Sequence, residues 1–483
     1  MRKKIYIFIF IISMLFQSIA LAEEAPAIRY IAPKLSSDAE EYDPTKPEEL
    51  KANQLYAKSA ILIEAETGQV IFEKNADDVM FPASTTKIMT VLLGLENGNL
   101  DQTVYLSETA GNIDEGSSKI PLQVGESINF KDLLYATMLR SGNEGANAIA
   151  EAVSGDISSF VDGMNRAAQN MGLSNTNFTN PHGLHDPNHY TTARDLAKIA
   201  QHAMNNSVFR QIVSASKYTL PKSNLNRSRN LVSRISEFIV SSENNSFYYA
   251  MGNGIKTGFT NAAGHCFVGS AEAMGVKLIS VVLYSSESGR WTDTKKLMEY
   301  GFSQVMSLSP IELYNIDPIV LETSGYSTQD ENLGRLKLDL VPQSGSTGMS
   351  LITSEANINE FSRNMLNSSL IQYTRDFRAP INKGEVLGSL TYISPQNNQS
   401  ATYSLVASRD ILAREAAPLS LSQIEKNVYD DPNFFPGISL ELVFYWLIPP
   451  VVLYFVTGLI ARLFKKRRRI KIGKKVQIKR RRY

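Results

Sequence analysis

The chain has 483 residues, of which 43% are hydrophobic and 20% are charged. These values are ordinary for globular proteins and exclude a mainly disordered or fibrous chain. The length leaves room for two or three domains of ~100–200 residues. The formal net charge of +1 is unevenly distributed, because residues 23–461 hold 33 basic and 48 acidic residues. This acidic body argues against nucleic acid as a partner. The single cysteine, Cys266, excludes an internal disulfide and a cysteine-based zinc site.

The first 22 residues have the layout of a secretory signal peptide. Basic residues at positions 2–4 precede a mostly apolar run, Ile5–Phe16, and small residues stand at positions 20 and 22. The run is too short to span a bilayer comfortably, which favours cleavage before Glu23 over an uncleaved membrane helix. We therefore predict an exported protein whose mature chain begins with a linker.

The segment Leu442–Ala461 is predicted to cross a membrane. Its 20 residues carry no charge, and as a helix they span ~30 Å, about one bilayer core. Thirteen basic residues follow between positions 462 and 483, and the positive-inside rule places them in the cytoplasm. Pro449 and Pro450 favour a kink, and a helix lying in the membrane interface is the alternative. The body is predicted to lie outside the cytoplasm.

The body begins with two short β-type runs, Ser59–Glu64 and Gln69–Glu73, whose connection predicts a hairpin. Four segments with helix-period apolar residues follow: Lys87–Leu95, Asn129–Arg140, Glu144–Val153 and Ile157–Met171. Gly264–Ala271 and Val276–Tyr284 are predicted strands. This order favours a sheet whose N-terminal and C-terminal parts meet around a helical insertion.

From about Leu308 the pattern changes to short apolar or alternating runs between Gly, Asn and Pro residues. Such runs predict a small β-rich domain. Its predicted strands are Leu336–Val341, Val386–Ile393 and Tyr403–Ala407. A polar stalk leads from this domain to the predicted membrane segment.

Ser84 and Lys87 precede an apolar helical segment and are expected on one face of its first turn. A serine hydroxyl needs a base to remove its proton, and a lysine buried near another cation can be that base. The helix N-terminus directs backbone N–H groups towards a developing oxyanion. A second Ser-x-x-Lys run, Ser214–Lys217, is rejected because Pro221 follows it and no apolar helix does.

Two further triplets extend this pattern. Ser141-Gly142-Asn143 follows the predicted helix that ends at Arg140, and Lys256-Thr257-Gly258 precedes the predicted strand at Gly264. The order Ser-x-x-Lys, Ser-x-Asn, Lys-Thr-Gly is the one found in penicillin-binding proteins and serine β-lactamases. Each triplet is common by chance, but all three in this order in an exported protein favour such a site. The alternative is coincidence, with Ser84 as an N-cap and Lys256 as a surface charge, but capping explains only the first element.

From about Lys58 to Glu415 the sequence closely resembles the D-alanyl-D-alanine carboxypeptidases, the low-molecular-mass penicillin-binding proteins. The resemblance includes four further runs: Asn180–Leu184, Tyr190–Ala197, Gly254–Thr260 and Ala379–Glu385. It implies an α+β fold in which a helical subdomain flanks an antiparallel five-stranded sheet. It also implies a bacterial cell-membrane enzyme that removes the terminal D-alanine from peptidoglycan pentapeptides, is acylated by β-lactams, and uses no metal or cofactor.

The resemblance implies roles for the motif residues. Ser84 is similar to the family's acylated nucleophile and Lys87 to its general base. Ser141 and Asn143 are similar to the pair that relays a proton and orients the substrate. The implied substrate-binding residues are Lys256, Thr257, Gly258 and Arg290.

Among the implied substrate-binding residues, Lys256 is expected to contribute positive potential and to help hold the substrate. Thr257 is expected to bind the substrate's terminal carboxylate. Arg290 is a further candidate for that carboxylate, and an exposed surface arginine is the alternative, because most arginines are exposed.

Several alternatives stay open or are disfavoured. A β-lactamase is least favoured, because no Glu-x-x-Leu-Asn segment lies between Asn143 and Lys256 to supply a deacylating glutamate. An endopeptidase on the same scaffold cannot be separated by these motifs, and a catalytically weak binding module is a further alternative. His182, His185 and His189 have a spacing that suits a metal, but they lie in a loop that the resemblance already explains. Cys266 is expected to be a small buried filler.

The domain organisation that these patterns predict runs from end to end of the chain. It comprises a signal peptide at 1–22, a linker at 23–53, a catalytic domain at 54–307, a β-rich domain at 308–415, a stalk at 416–441, a transmembrane anchor at 442–461 and a basic cytoplasmic tail at 462–483.

Overall fold

The computed structural model describes residues 39–344, 349–396, 398–414, 421–423, 450–460 and 462. The predicted signal peptide, the first part of the linker, most of the stalk and the tail beyond residue 462 lie outside these residues. The fold is α+β, as the sequence predicted, and its strands and helices are interleaved along the chain.

The strands in chain order are β1 Ser59–Glu64, β2 Val70–Lys74, β3 Thr103–Tyr105, β4 Ser127–Asn129, β5 Lys217–Leu220, β6 Arg229–Val232, β7 Gly252–Thr260, β8 Gly264–Ala273, β9 Val276–Ser285, β10 Met306–Leu308, β11 Val320–Glu322, β12 Arg335–Pro342, β13 Leu351–Thr353, β14 Leu370–Tyr373, β15 Val386–Ile393 and β16 Ser400–Ala407. The α-helices in chain order are α1 Lys87–Asn97, α2 Glu108–Gly111, α3 Phe130–Arg140, α4 Asn143–Ser154, α5 Ile157–Asn170, α6 Ala193–Asn205, α7 Ser207–Ser214, α8 Ser236–Ile239, α9 Gly289–Gln304, α10 Pro310–Ile316 and α11 Ile358–Ser368.

A five-stranded sheet in the order β2-β1-β9-β8-β7 forms the centre of the first part of the chain. The predicted hairpin is confirmed, since β1 pairs antiparallel with β2. Strand β1 also pairs with β9, which comes from the other side of the helical insertion. Every residue of β1 is buried. The predicted closure of the sheet by N-terminal and C-terminal strands is therefore confirmed.

Strand β7, at the edge of this sheet, was missed by the sequence patterning. It carries the Lys256-Thr257-Gly258 triplet, which was expected just before a strand and not within one. The run Gly252–Thr260 holds three glycines, and glycine weakens the strand pattern because it has no side chain to pack. Pairing with β8 supplies the order that the local sequence lacks.

The helical insertion lies against the sheet and shares one hydrophobic core with it. All four predicted helices are confirmed as α1, α3, α4 and α5, with bounds that differ by one or two residues. Asn129 caps α3 by accepting from the N–H groups of Lys131 and Asp132. The helix ends at Ser141, whose left-handed conformation turns the chain sharply into α4.

The other face of the sheet is covered by α9, which packs Trp291 and Leu297 into a second core. The buried carboxylate of Asp293 accepts from the N–H groups of Tyr56 and Ala57 at 3.1 and 2.7 Å. These bonds hold the chain where it enters β1. The sheet that carries the site is thus buried from both sides.

The β-rich part contains an antiparallel run of strands β12, β16, β15 and β14. The three strands predicted there are confirmed, and β16 shows the alternation of buried and less buried residues that a half-covered sheet requires. Helices α10 and α11 were not predicted. Helix α10 has a recognisable start, because Ser309 and Glu312 form a capping box around Pro310.

The chain separates into two compact units. The described residues of the first fall within Met1–Val320, Lys337–Asp376 and Gly384–Ser408, and they include every predicted site residue. The described residues of the second fall within Leu321–Leu336, Phe377–Lys383 and Arg409–Tyr483. The predicted boundary between residues 307 and 308 stays a prediction.

Residues 450–460 form a helix, which is the described part of the predicted anchor Leu442–Ala461. Among the residues that the structure describes, no helix has both the length and the apolar character needed to cross a membrane. The remainder of the predicted segment lies outside the described residues, and its membrane crossing stays a prediction.

Candidate active site

Ser84 lies in a 3₁₀ turn, Ala83–Thr86, that leads directly into α1. The sequence predicted Ser84 in the first turn of the α-helix. In the structure the chain is wound more tightly there, as a 3₁₀ turn, and the α-helix begins at Lys87. Thr85 and Thr86 support the turn by donating to the carbonyls of Pro82 and Ala83 at 2.7 and 2.8 Å. Such side-chain bonds to the preceding backbone compete with regular α-helical bonds. The Ser84 side chain is left partly exposed, whereas both threonines are buried.

Lys87 is fully buried, and its side-chain nitrogen reaches Ser84. Nζ lies 3.1 Å from Ser84 Oγ, 2.7 Å from Asn143 Oδ1 and 2.6 Å from the His182 carbonyl. Burial lowers the pKa of Lys87 well below its usual value, and the nearby Lys256 lowers it further. A neutral lysine at this position can accept the serine proton near neutral pH.

The Ser-Gly-Asn triplet sits where α3 ends and α4 begins. The left-handed backbone of Ser141 places its side chain at the site, and Asn143 starts the next helix with its amide oxygen on Lys87. The Asn143 N–H donates to the Ser118 carbonyl at 3.0 Å, which ties a loop of the site wall to the triplet. A Cβ on Gly142 would lie 2.3 Å from the Ile120 side chain. The middle glycine is therefore required by packing.

Strand β7 brings the third triplet to the same place. Lys256 is buried, and its Nζ donates to the Thr257 carbonyl at 2.9 Å. Burial lowers the pKa of Lys256 to about 7, and the neighbouring Arg234 and Arg290 contribute. A Cβ on Gly258 would lie 2.9 Å from the Pro82 carbonyl oxygen and 3.1 Å from the Ser84 nitrogen. Glycine at this position lets the strand approach the nucleophile turn closely.

Gly183 explains the Asn180–Leu184 run in physical terms. It has a φ of +84°, and a Cβ there would lie 1.8 Å from the Ala83 carbonyl oxygen. The loop therefore lies against the nucleophile turn, and it brings the His182 carbonyl to Lys87. Asn180 holds the loop by accepting from the Gly183 N–H at 2.7 Å.

Replacing Gly183 by alanine is expected to reduce activity at least tenfold, because the overlap with Ala83 separates the loop from the serine turn; effects of this kind reach roughly 10²-fold. The strain should also lower the free energy of unfolding by roughly 2–3 kcal/mol. Gly172→Ala is the matched control, since Gly172 also has a positive φ, +71°, with nothing within 4 Å of the added carbon. Steady-state activity and thermal unfolding of both variants are the measurements, and equal losses in the two would contradict the packing argument.

Two arginines add positive charge to the site. Arg290 is half-buried and not an exposed surface residue; its guanidinium stacks over Trp291 at 4.6 Å and contacts His265 Nδ1 at 2.9 Å. Arg234, which the sequence analysis missed, acts electrostatically on Lys256. Its backbone N–H is held by the Leu139 carbonyl at 3.0 Å. No local pattern marks Arg234, because the fold alone brings its loop to the site.

A cavity of about 490 Å³ connects these elements. Its wall includes Ser84, Ser141, Asn143, Thr257 and Arg290. Gly258 and Arg234 also line it, whereas Lys87 and Lys256 are buried behind it. The structure therefore brings all eight predicted site residues together, six of them in the cavity wall and two beneath it. Such a cavity accommodates the end of a peptide.

The three loop histidines have separate neighbours. His189 Nδ1 accepts from the Thr179 N–H, so its Nε2 donates to Thr86 Oγ1 at 2.8 Å. His182 Nδ1 accepts from the Leu184 N–H at 3.2 Å. Burial lowers the pKa of His182 to about 3 and that of His189 to about 4. Both are neutral near pH 7, and His189 supports the turn of Ser84 through its bond to Thr86. Within the described ranges, no group of His, Cys, Asp and Glu side chains is arranged to hold a metal ion.

Cys266 and the rejected Ser-x-x-Lys run lie apart from this chemistry. The Cys266 side chain is buried on β8, and burial raises the pKa of its thiol to about 11. A thiol in that state is a poor nucleophile. Ser214 is the exposed last residue of α7, and Lys217 begins β5, so the two do not share a helix face.

The fold and the site define a serine-type peptidase of the penicillin-binding class. A model of the D-alanyl-D-alanine carboxypeptidase family matches residues 45–287. The chain is 31% identical over 341 residues to the D-alanyl-D-alanine carboxypeptidase DacF of Bacillus subtilis, which covers 69% of this chain and 80% of that protein. It is 30% identical to DacC of Escherichia coli, over 71% of this chain and 81% of that protein. The chain belongs to the D-alanyl-D-alanine carboxypeptidase family.

Streptomyces relatives give a further likeness. The D-alanyl-D-alanine carboxypeptidase of Streptomyces sp. is 34% identical over 49% of this chain and 84% of that protein. The crystal structure of the Streptomyces K15 DD-transpeptidase shares 33% sequence identity, covers 51% of this chain and 97% of that chain, and has a TM-score of 0.46.

Proposed function

We propose that this chain is a D-Ala-D-Ala carboxypeptidase that removes the terminal D-alanine from peptidoglycan pentapeptides through an acyl-enzyme on Ser84. One observation carries the proposal: the buried, pKa-lowered Lys87 has its Nζ 3.1 Å from Ser84 Oγ at the wall of the cavity. That arrangement is a nucleophile with its base in place.

In the acylation step, Ser84 Oγ attacks the carbonyl carbon of the D-Ala-D-Ala bond while Lys87 Nζ accepts the hydroxyl proton. The carbon–nitrogen bond then breaks, and the leaving D-alanine amine takes up a proton, which Ser141 is placed to relay. Asn143 orients the peptide and fixes Lys87. A water molecule then attacks the ester carbonyl, which returns Ser84 and releases the shortened stem peptide.

The free carboxylate of the substrate is proposed to position the scissile bond in the site. Thr257 and the guanidinium groups of Arg234 and Arg290 line the cavity, and planar guanidinium groups suit carboxylates. Binding of the terminal carboxylate there sets the scissile bond over Ser84. A chain end is thereby preferred to an internal amide, which favours a carboxypeptidase over an endopeptidase. Since β-lactams imitate the same peptide end, they are proposed to acylate Ser84 and to leave slowly.

Carboxypeptidase activity is tested by incubating the detergent-solubilised full chain with a pentapeptide and, separately, with a cross-linked peptide dimer. Release of D-alanine from the pentapeptide is expected, with the dimer consumed much more slowly. Faster loss of the dimer would establish an endopeptidase. No turnover of either substrate, combined with penicillin labelling, would leave the binding-module alternative.

The cellular location is proposed from the two chain ends. The uncharged run 442–461 followed by thirteen basic residues supports a C-terminal anchor with the tail inside, and the N-terminal pattern supports export. The proposed location is the bacterial cytoplasmic membrane, with the catalytic part outside.

A tag placed after Tyr483 is therefore expected to resist protease added to spheroplasts, while the catalytic part is digested or released. A chain ending before Gly437 is expected in the soluble fraction with penicillin binding intact, since every site residue precedes position 308. Tag loss from outside, or a truncated chain that remains in washed membranes, would contradict the anchor.

A further inference from the structure

Glu144 is a buried acidic residue to which the mechanism above gives no role. It follows Asn143 in the first turn of α4 and is 3% exposed. Both of its carboxylate oxygens are buried without a hydrogen-bond partner among the residues that the structure describes. Buried polar atoms are nearly always paired, so an unpaired carboxylate beside an active site needs an explanation.

The carboxyl group of Glu144 lies in an environment that disfavours its charge. Burial raises its pKa to about 7. The N–H groups of Glu144 and Ile120 and the charges of Lys87 and Lys119 oppose this rise, although neither N–H meets hydrogen-bond geometry. The position in the first helical turn also favours a negative charge. Near neutral pH the group is therefore divided between its acid and its carboxylate.

The electrostatic interaction between Glu144 and Lys87 also shifts the pKa of Lys87. Its Nζ lies within hydrogen-bond distance of three neutral groups, Ser84 Oγ, Asn143 Oδ1 and the His182 carbonyl. Among the charged groups that shift the Lys87 pKa, Lys256 lowers it and Glu144 raises it. Both the Lys87 and the Glu144 side chains are buried.

Acidic groups other than Glu144 also lie around the site. Asp186 acts on His189, and Glu237 and Glu287 line the cavity and act on Arg290. The groups that interact electrostatically with Glu144 or Lys87 themselves are basic: Lys119, His182, His189 and Lys256. Among the described residues, the charges that shift the pKa of Lys87 are the positive one of Lys256 and the negative one of Glu144.

We propose that Glu144 is a positioning residue for acylation, whose carboxylate stabilises the ammonium group that Lys87 becomes when it takes the Ser84 proton. This inference rests on the proposed function. As the Ser84 O–H bond breaks, a bond forms between the proton and Lys87 Nζ, and Oγ bonds to the substrate carbonyl carbon. Glu144 keeps its own atoms throughout and acts on Lys87 through its field. It compensates for the repulsion that Lys256 exerts on the new ammonium.

The buried, unpaired carboxylate of Glu144 lowers the free energy of unfolding when it is charged. Because the pKa of Glu144 in the folded chain, about 7, exceeds its usual value of 4.5, the folded state binds the proton more tightly than the unfolded state does. The contribution of Glu144 to stability therefore falls as the pH rises from about 4.5 to about 7. Thr137 Oγ1 and Asn147 Oδ1, on α3 and α4, are also buried without partners among the described atoms.

The test compares full-length Glu144→Gln and Glu144→Asp with Glu151→Gln. Glu151 is the control because it lies on the same helix, its carboxylate accepts from Ser107 Oγ at 2.7 Å, and it is not among the groups that shift the pKa of Lys87. The rate constant for acylation by a fluorescent penicillin is measured between about pH 5 and pH 9, across the range in which these groups titrate. Thermal unfolding midpoints are measured over the same range.

Glu144→Gln is expected to lower the acylation rate constant at neutral pH by about tenfold or more, as loss of an opposite charge near an ionising group implies. The acid side of its pH profile should move to lower pH, because Lys87 loses the charge that raised its pKa. Its unfolding midpoint should equal or exceed that of the parent above pH 7, since a costly buried charge is gone. Glu144→Asp should keep most of the rate, and Glu151→Gln should keep the parental profile.

An unchanged rate and profile in Glu144→Gln would overturn the inference. So would a rate that falls in proportion to a fall in the unfolding midpoint with an unshifted profile, since that result indicates packing alone. Failure of the proposed function is distinguishable, because the parental chain would then release no D-alanine whatever the behaviour of Glu144.

Discussion

Ser84→Ala is expected to abolish covalent labelling by a fluorescent penicillin and to lower D-alanine release by about 10⁴-fold or more, as loss of a catalytic nucleophile does in other hydrolases. Without Oγ no acyl bond can form, whatever the state of Lys87. The fold should persist, because the Ser84 side chain is partly exposed and the turn is held by Thr85 and Thr86. Gel fluorescence after incubation with the penicillin is the measurement.

Ser214→Ala is the matched control for this experiment. Ser214 belongs to the other Ser-x-x-Lys run, but it is exposed at the end of α7. Its replacement is expected to leave labelling at the parental level. Labelling retained by Ser84→Ala, or lost by Ser214→Ala, would reverse the assignment of the nucleophile.

Lys87→Met is expected to reduce acylation by about 10²–10⁴-fold, the usual contribution of a general base. Methionine has a similar length and no basic nitrogen, so the serine proton has no acceptor within reach. The change leaves Asn143 Oδ1 and the His182 carbonyl without the Nζ donor, but it also removes a buried amine whose desolvation is unfavourable. Stability should therefore change little, and the loss should appear in the acylation rate constant.

Lys198→Met on α6 is the control, because Lys198 is exposed and belongs to none of the three site motifs. Parental kinetics are expected for it. Lys87→Arg is a second informative variant, since a guanidinium stays protonated and cannot accept the proton. Near-parental turnover in either Lys87 variant would show that another group is the base.

Local patterning predicted the first four long helices and the main strands of both sheets. The apolar residues of α1, α3, α4 and α5 recur with the period of a helix that has one buried face, and the core confirms that they are buried. Strands β1, β8 and β9 have continuous apolar runs because both faces of the sheet are covered. Strand β7, several short strands and seven of the described α-helices, among them α6 and α9 to α11, escaped prediction. In β7 the three glycines weaken the strand pattern.

The sequence by itself predicted the chemistry of the site. Three short motifs in a set order indicated a nucleophile, its base and the residues around them, because a serine made reactive by a lysine needs few side chains and those are local. It also determined the family, which longer runs such as Asn180–Leu184 support. These inferences needed residue identity and order only.

Only the tertiary structure decided how the site residues act on one another. The lowered pKa of Lys87 depends on burial and on Lys256, which lies more than 160 residues away. The glycines at 183 and 258 are needed because backbone atoms from other parts of the chain leave no space for a Cβ atom there. The contributions of Arg234 and Glu144 were invisible in the sequence for the same reason. Electrostatic energy and packing depend on the distance between atoms in space, and the separation of two residues along the chain does not give that distance.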